Sequence, residues 1–279
     1  MYKTIFTFFL AMLTLSSCTM TEEMVIKENS ELEYIQKIDM PQLAAVMNTA
    51  DIDTKIEKNQ ISNTEYSYLD FILMLQEVGG ESTKEKLAKF LIYKDELAEL
   101  DFLKLRLDLR NKFTIEVINR SKSVEEFNKQ SAIIERVFAD INQKEKERIL
   151  IESTQKKKKR KKAKAEIETP VFSDNPMATM TSSNFTFDGK TFTKTLDAEN
   201  FSKDFNLDDL NSDEEKQLFI GMLKQIKFQY KYTFPRKIKS LTFTDAMFTA
   251  DGKSFVKEFS LEEIVNNPSL GDFKVELED

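Results

Sequence analysis

The sequence predicts an α+β protein: two antiparallel-sheet units with short covering helices, joined by a basic linker. Three observations predict it. Residues 103–117 alternate apolar and polar side chains with the period of a strand. Two Asp-Gly pairs, Asp188-Gly189 and Asp251-Gly252, stand between similar alternating runs and mark hairpin turns. Between these β-rich ends, "KKKKRKKAK" at 156–164 interrupts the chain with eight positive charges in nine residues.

Taken in order, residues 22–40 read as a hairpin. Met24 and Ile26 share one side, Lys27–Ser30 forms the turn, and Leu32, Tyr34, Ile38 and Met40 share the returning face with Gln36. Pro41 suits the first turn of a helix carrying Leu43, Val46 and Met47. Tyr68, Ile72 and Leu75 have helical spacing in a segment ending at Gly79-Gly80, and a second helix follows Ser82 through Leu87, Phe90 and Leu91. Leu103, Leu105 and Leu107 then alternate with Lys104, Arg106 and Asp108, and Phe113, Ile115 and Val117 with Thr114 and Glu116. A helix would scatter these apolar residues around its circumference. Val124, Phe127, Ile134, Val137 and Ile141 form a helical stripe expected to end near residue 150.

Beyond the basic run, the reading is a hairpin at 185–192, a helix over about 213–226, and the strand "IKFQYKYTF" at 226–234. A hairpin over 246–259, a short helix at 261–266 and a last strand at 273–277 complete it. The expected organisation is a signal segment at 1–17, an N-terminal α+β domain at 18–152, the basic linker at 153–176, and a β-rich α+β domain at 177–279.

Composition narrows the function classes. The chain has no His and one Cys, so an internal disulfide is excluded, and so are a His base and a His metal ligand. Neither a G-x-S-x-G elbow nor a glycine-rich phosphate loop occurs. The net charge of −7 gives no overall attraction to phosphate backbones, so nucleic acid is not an expected partner. Residues 1–17 carry Lys3 and no acid, which leaves −8 after them. The eight charges of 156–164 leave −16 for the rest.

The lone cysteine lies at the end of "FTFFLAMLTLSSCTM". The run from Ile5 to Leu15 follows Lys3, is too short to span a bilayer and fits the apolar region of a secretory signal. Leu15-Ser16-Ser17-Cys18 resembles the lipobox of bacterial lipoproteins, an aliphatic residue and two small ones before the cysteine that is lipidated. That resemblance implies a thioether-linked diacylglycerol on Cys18, acylation of the freed amine with a fatty acid such as palmitate, and stable membrane attachment by two or three chains.

Other clusters have structural explanations. Ser82/Glu85, Ser123/Glu126, Ser212/Glu215 and Ser260/Glu263 have capping-box spacing at expected helix starts. The acidic stretch 206–215 lacks the glycine and alternation of an EF-hand loop. No metal and no cofactor are therefore expected. Lys156, Lys157, Lys158, Lys159, Arg160, Lys161, Lys162 and Lys164 form either a solvated linker, extended by self-repulsion, or a contact with an anionic membrane surface.

Both ends of the chain after Cys18 resemble a family of Bacteroidota cell-envelope lipoproteins. The matching residues are Asp39-Met40-Pro41, Phe234-Pro235, Ile238 and Asp251-Gly252-Lys253; the turn at Lys27–Ser30 departs from the family pattern because it has no glycine. Glu22 and Glu23, soon after the cysteine, are similar to surface-export signals of that phylum. The resemblance implies a lipid-anchored protein of the outer membrane, facing the periplasm or the surface, and transfers no catalytic residue. The leading expectation is a non-catalytic binding or structural role, with an anionic lipid or an envelope protein as partner. A carrier or sensor of an apolar envelope ligand, lined by the phenylalanines of the C-terminal sheet, is the alternative. A hydrolase using carboxylates or a Ser/Lys pair is the third.

Overall fold

The computed structural model describes residues 18–40, 64–78, 90–108, 113–159, 182–199 and 223–279, with 84, 87–88, 201, 217 and 220–221. It is an α+β structure with two sheets. The larger has eight strands in the order β10-β11-β8-β1-β2-β5-β4-β3. These are β1 (Thr19–Ile26), β2 (Leu32–Asp39), β3 (Glu65–Ser67), β4 (Leu103–Asp108), β5 (Thr114–Ser121), β8 (Lys227–Thr233), β10 (Met247–Phe248) and β11 (Ser254–Ser260). The smaller has the order β6-β7-β12-β9, from β6 (Ser183–Phe187), β7 (Thr191–Leu196), β9 (Ile238–Leu241) and β12 (Phe273–Leu277). The α-helices with described bounds are α1 (Tyr68–Val78), α2 (Lys94–Ala98), α3 (Val124–Lys159) and α4 (Leu261–Asn266).

The hairpins form where alternation and turn chemistry predict them. Leu103, Leu105 and Leu107 of β4 are buried and stand opposite Asn119, Val117 and Ile115 of β5. At Asp188-Gly189 the glycine adopts φ +90°, and Asp188 Oδ1 accepts from the amides of Lys190 and Thr191 at 2.9 and 2.6 Å. At Asp251-Gly252 the glycine has φ +69°, and Asp251 Oδ1 accepts from the Lys253 amide at 3.0 Å. The glycine-free first turn puts Ser30 at φ +68°, a left-handed conformation that side chains resist.

Among the described residues every strand pair is antiparallel except β1–β8, which runs parallel with Thr19 opposite Lys227 and Val25 opposite Thr233. This pairing joins strands from both sides of the basic run into one sheet. The division expected at 153–176 therefore separates segments of the chain that share the larger sheet, while the smaller sheet comes wholly from the later half. The physical cause is β1 itself: with Met24 and Ile26 buried on one side, it is a central strand and needs a neighbour on each edge.

One face of the large sheet is covered in two parts. Over β8 and β11 lies the small sheet, and the contact is aromatic: Phe192 of β7 and Phe273 of β12 stand 5.7 and 4.8 Å from the Tyr232 ring. Over the other half lie the helices. Phe127 of α3 meets Tyr34 of β2 at 5.0 Å, and Phe138 meets Tyr68 of α1 at 5.9 Å, so α3 crosses from β2 towards the β3 edge. Asn128 of α3 donates to the Phe185 carbonyl at 2.7 Å and so ties the helix to β6.

The expected starts of α3 and α4 carry their caps. Ser260 and Glu263 complete a capping box. Ser123 Oγ accepts from the Glu126 amide at 3.2 Å, and the Glu126 carboxylate takes the Lys122 amide at 2.6 Å. α1 has a cap the pattern did not suggest: Ser67 Oγ accepts from the Asp70 amide at 3.1 Å. The expected end of α3 near 150 is corrected. The helix continues through Lys159, because no Gly or Pro occurs between Val124 and Thr169. The expected helices after Pro41 and at 213–226, and the Ser82/Glu85 and Ser212/Glu215 pairs, lie outside the described residues wholly or in part.

Candidate functional site

Cys18 stands one residue before β1. Its carbonyl accepts from the Lys227 amide at 3.1 Å, which starts the β1–β8 ladder, and Thr19 beside it pairs with Asp39 on the other edge. The thiol is half-buried. Burial first, and then the negative charge of Asp39, push it above the usual thiol range. A thiol so placed is a poor thiolate, which disfavours redox or nucleophilic chemistry of its own. Asp39 is held in place by Thr114 Oγ1, which donates to it at 2.6 Å, and by Lys37 at 3.3 Å.

The basic run is divided. Lys156, Lys157, Lys158 and Lys159 belong to the last turn of α3. The linker expected from residue 153 therefore begins as helix. Arg160, Lys161, Lys162 and Lys164 lie outside the described residues, as does the acidic stretch 206–215.

The structure brings together a polar cluster that the sequence reading did not pick out. Glu22 of β1 and Lys194 of β7 are both 0% exposed, and Lys194 Nζ reaches Glu22 Oε1 at 2.5 Å. The Tyr232 hydroxyl donates to the same carboxylate oxygen. The ammonium sits 3.9 Å from the centre of the Tyr230 ring, a cation–π contact in a desolvated setting. Burial pulls the Lys194 ammonium below the ordinary lysine range, and the carboxylate of Glu22 opposes that pull. On the same face of β2 and β5, the buried atoms Gln36 Oε1 and Asn119 Nδ2 have no hydrogen-bond partner among the described residues. Parity was the available signal: Glu22 alternates in step with Met24 and Ile26, and Lys194 in step with Phe192 and Leu196. In the folded chain Glu22 is buried, while its neighbour Glu23 is half-buried and pairs with Lys231 at 2.8 Å.

The opposite face of the large sheet carries cross-strand charge pairs. Arg120 of β5 holds Glu65 of β3 with both terminal nitrogens, at 2.7 and 2.9 Å, and Glu33 of β2 through Nε at 2.7 Å. Arg106 of β4 pairs with Glu116 of β5, its Nε reaching the carboxylate at 2.6 Å. The guanidinium of Arg120 lowers the Glu65 carboxyl below its ordinary range.

These arrangements bear on the chemistry considered above. Phe228, Tyr230, Tyr232 and Phe234 are buried and packed ring to ring, so the rings of the aromatic strand face one another as a core does. Ser254 and Lys257 have the spacing of a Ser–Lys nucleophile, but on strand β11 three residues put them on opposite faces. Lys257 bonds Asp245 at 2.6 Å and Ser254 bonds Thr233 at 2.9 Å. Among the described residues no cluster of three acidic or cysteine ligands is placed to hold a metal ion. No helix among them is long and apolar enough to cross a membrane. No family model, curated protein or solved structure matches the chain.

Proposed function

We propose that the chain is a lipid-anchored protein of the cell envelope with a binding or structural role and no catalytic one. One observation carries the reading: the lipobox cysteine stands immediately before the first strand of the fold. Cleavage before Cys18 would leave the whole of β1 intact and put the lipidated residue next to a central strand of the larger sheet. The acyl chains would then hold the strand ends at Thr19, Asp39, Thr114 and Lys227, in the middle of the larger sheet, close to the bilayer.

The test is metabolic labelling with a palmitate analogue in a bacterium that processes lipoproteins. The wild type takes up label and fractionates with the outer membrane. Cys18→Ala loses both the label and the membrane association. Label retained on Cys18→Ala, or an unlabelled wild type found in the cytoplasm with residues 1–17 attached, overturns the reading.

A further inference from the structure

We propose that Glu22 and Lys194 condense after folding into an intramolecular amide, a covalent cross-link between the two sheets. The chemistry of the bond is independent of Cys18; the lipid-anchor reading supplies only its use. Three observations carry it.

The first is proximity. Lys194 Nζ stands 2.5 Å from Glu22 Oε1. A carboxyl carbon lies about 1.2 Å from its oxygen, so the nitrogen is within about 3.8 Å of Glu22 Cδ, close to the separation of a near-attack pair.

The second is the setting. Both side chains are 0% exposed, and the rings of Tyr230 and Phe185 lie 3.9 and 5.6 Å from the nitrogen. In bulk water an ammonium and a carboxylate do not condense, because the ionised forms are unreactive and water reverses the reaction. A dry site removes both obstacles. It disfavours the two charges relative to the amine and the acid, and it excludes water. Burial draws the Lys194 ammonium below the ordinary lysine range for the same reason.

The third is the contrast between the two carboxyl oxygens. Oε1 accepts from both Lys194 and the Tyr232 hydroxyl, whereas Oε2 is buried with no hydrogen-bond partner among the described residues. A buried polar atom left in that state is costly. Condensation removes it. The ammonium passes one proton to Oε2, and the nitrogen lone pair attacks Cδ while the Tyr232 hydroxyl stabilises the charge growing on Oε1. A second proton moves from nitrogen to Oε2, the Cδ–Oε2 bond breaks, and one water leaves. Oε1 remains as a carbonyl that accepts from Tyr232, and the nitrogen keeps one hydrogen beside the Tyr230 ring. Nothing is oxidised or reduced. Newly folded protein carries the ion pair, and the amide forms from it.

The chain has one cysteine, so no disulfide can join the sheets. The amide would close a loop between residues 172 positions apart and restrict the unfolded chain as a disulfide does. On the lipid-anchor reading, load on Cys18 enters β1, and a bond from Glu22 on that strand passes it to the small sheet.

The test is mass spectrometry of the full chain carrying Cys18→Ala, so that failure of the anchor and failure of the bond are separate results. After prolonged incubation the folded protein is one water lighter than its sequence. Trypsin does not cut after an acylated lysine, so the digest contains a branched peptide joining residues 4–27 to 191–203. That peptide identifies the bond without any further variant having to fold. Lys194→Arg keeps the positive charge but has no amine to condense, and shows its full sequence mass. Full sequence mass in the protein that retains Lys194, a branch between other residues, or the same loss of water in Lys194→Arg overturns the proposal.

Discussion

Glu22 of β1 and Lys194 of β7 form a fully buried ion pair that joins the two sheets across their interface. The residues are 172 positions apart, so the contact exists only when both sheets are assembled. Desolvating two charges is costly, and their attraction with one added hydroxyl offsets that cost only while all the partners are present. Removing one member leaves a buried charge without a counter-charge. Lys194→Met is therefore expected to cost about 3–5 kcal/mol in urea unfolding, and Glu22→Gln a similar amount. The triple variant Glu22→Leu, Lys194→Met, Tyr232→Phe removes both charges and the hydroxyl together, and should recover most of the loss. Strictly additive losses in the triple variant would show that the pair is not coupled.

Gly271 lies against Tyr230 for a reason of space. A Cβ at residue 271 would stand 2.7 Å from the Tyr230 hydroxyl oxygen and 3.4 Å from Leu196 Cδ2. Tyr230 is buried and its ring faces the Lys194 ammonium, so it has little room to yield. Gly271→Ala should destabilise the fold by about 1–3 kcal/mol through overpacking. Adding Tyr230→Phe removes the clashing oxygen and should return part of that loss. Thermal denaturation of the single and double variants decides it, and a Gly271→Ala protein as stable as wild type would refute the close approach.

Ser30 is the converse case, a side chain where the turn calls for glycine. Its φ of +68° costs a non-glycine residue about 1 kcal/mol or more. The turn is otherwise well bonded, with the Lys27 amide to the Glu31 carbonyl at 2.8 Å and the Ser30 amide to the Lys27 carbonyl at 3.0 Å. Ser30→Gly should raise stability by about 0.5–1 kcal/mol, part of the relief being lost to the flexibility of glycine in the unfolded chain. A lower denaturation midpoint in Ser30→Gly would mean that the serine side chain contributes something the backbone geometry does not reveal.

The elements legible in the sequence are those whose signal is local. Leu103, Leu105 and Leu107 announce β4 by alternation, Asp251-Gly252 announces a hairpin, and Ser260 with Glu263 announces α4. The parallel pairing of β1 with β8 had no such signal, because a strand's side-chain pattern does not name its neighbour. The length of α3 was under-read because its apolar stripe stops at Ile141, whereas nothing in the backbone chemistry stops the helix before residue 160. The resemblance of Leu15-Ser16-Ser17-Cys18 to a lipobox is carried by four adjacent residues. Glu22 and Lys194 were not legible, since a charged residue in a strand is ordinarily taken to face water, and only the tertiary contact explains why these two face inward.

The charge ladder on the open face predicts a pH dependence whose sign follows from Glu65. Its hydrogen bonds from Arg120, with smaller help from the charges of Arg120, Arg106 and Lys104, hold the carboxyl below its ordinary value in the folded state. Between the folded and unfolded values, the unfolded chain binds a proton at Glu65 and the folded chain does not. Stability from this group is therefore present in full above the unfolded value, about 4.3, and drains away as the pH falls through the folded value. Glu65→Gln removes that proton difference while keeping a group that accepts hydrogen bonds from Arg120. Its stability should match the wild type more closely at pH 3 than at pH 7, and its slope between those limits should be shallower. The bidentate contact also bridges the edge strand β3 to β5, across β4. Amide exchange at Glu65–Ser67 should accordingly quicken in the variant at neutral pH while exchange in β1 and β8 stays unchanged. Parallel stability–pH curves for the two proteins would place the acid sensitivity elsewhere in the ladder.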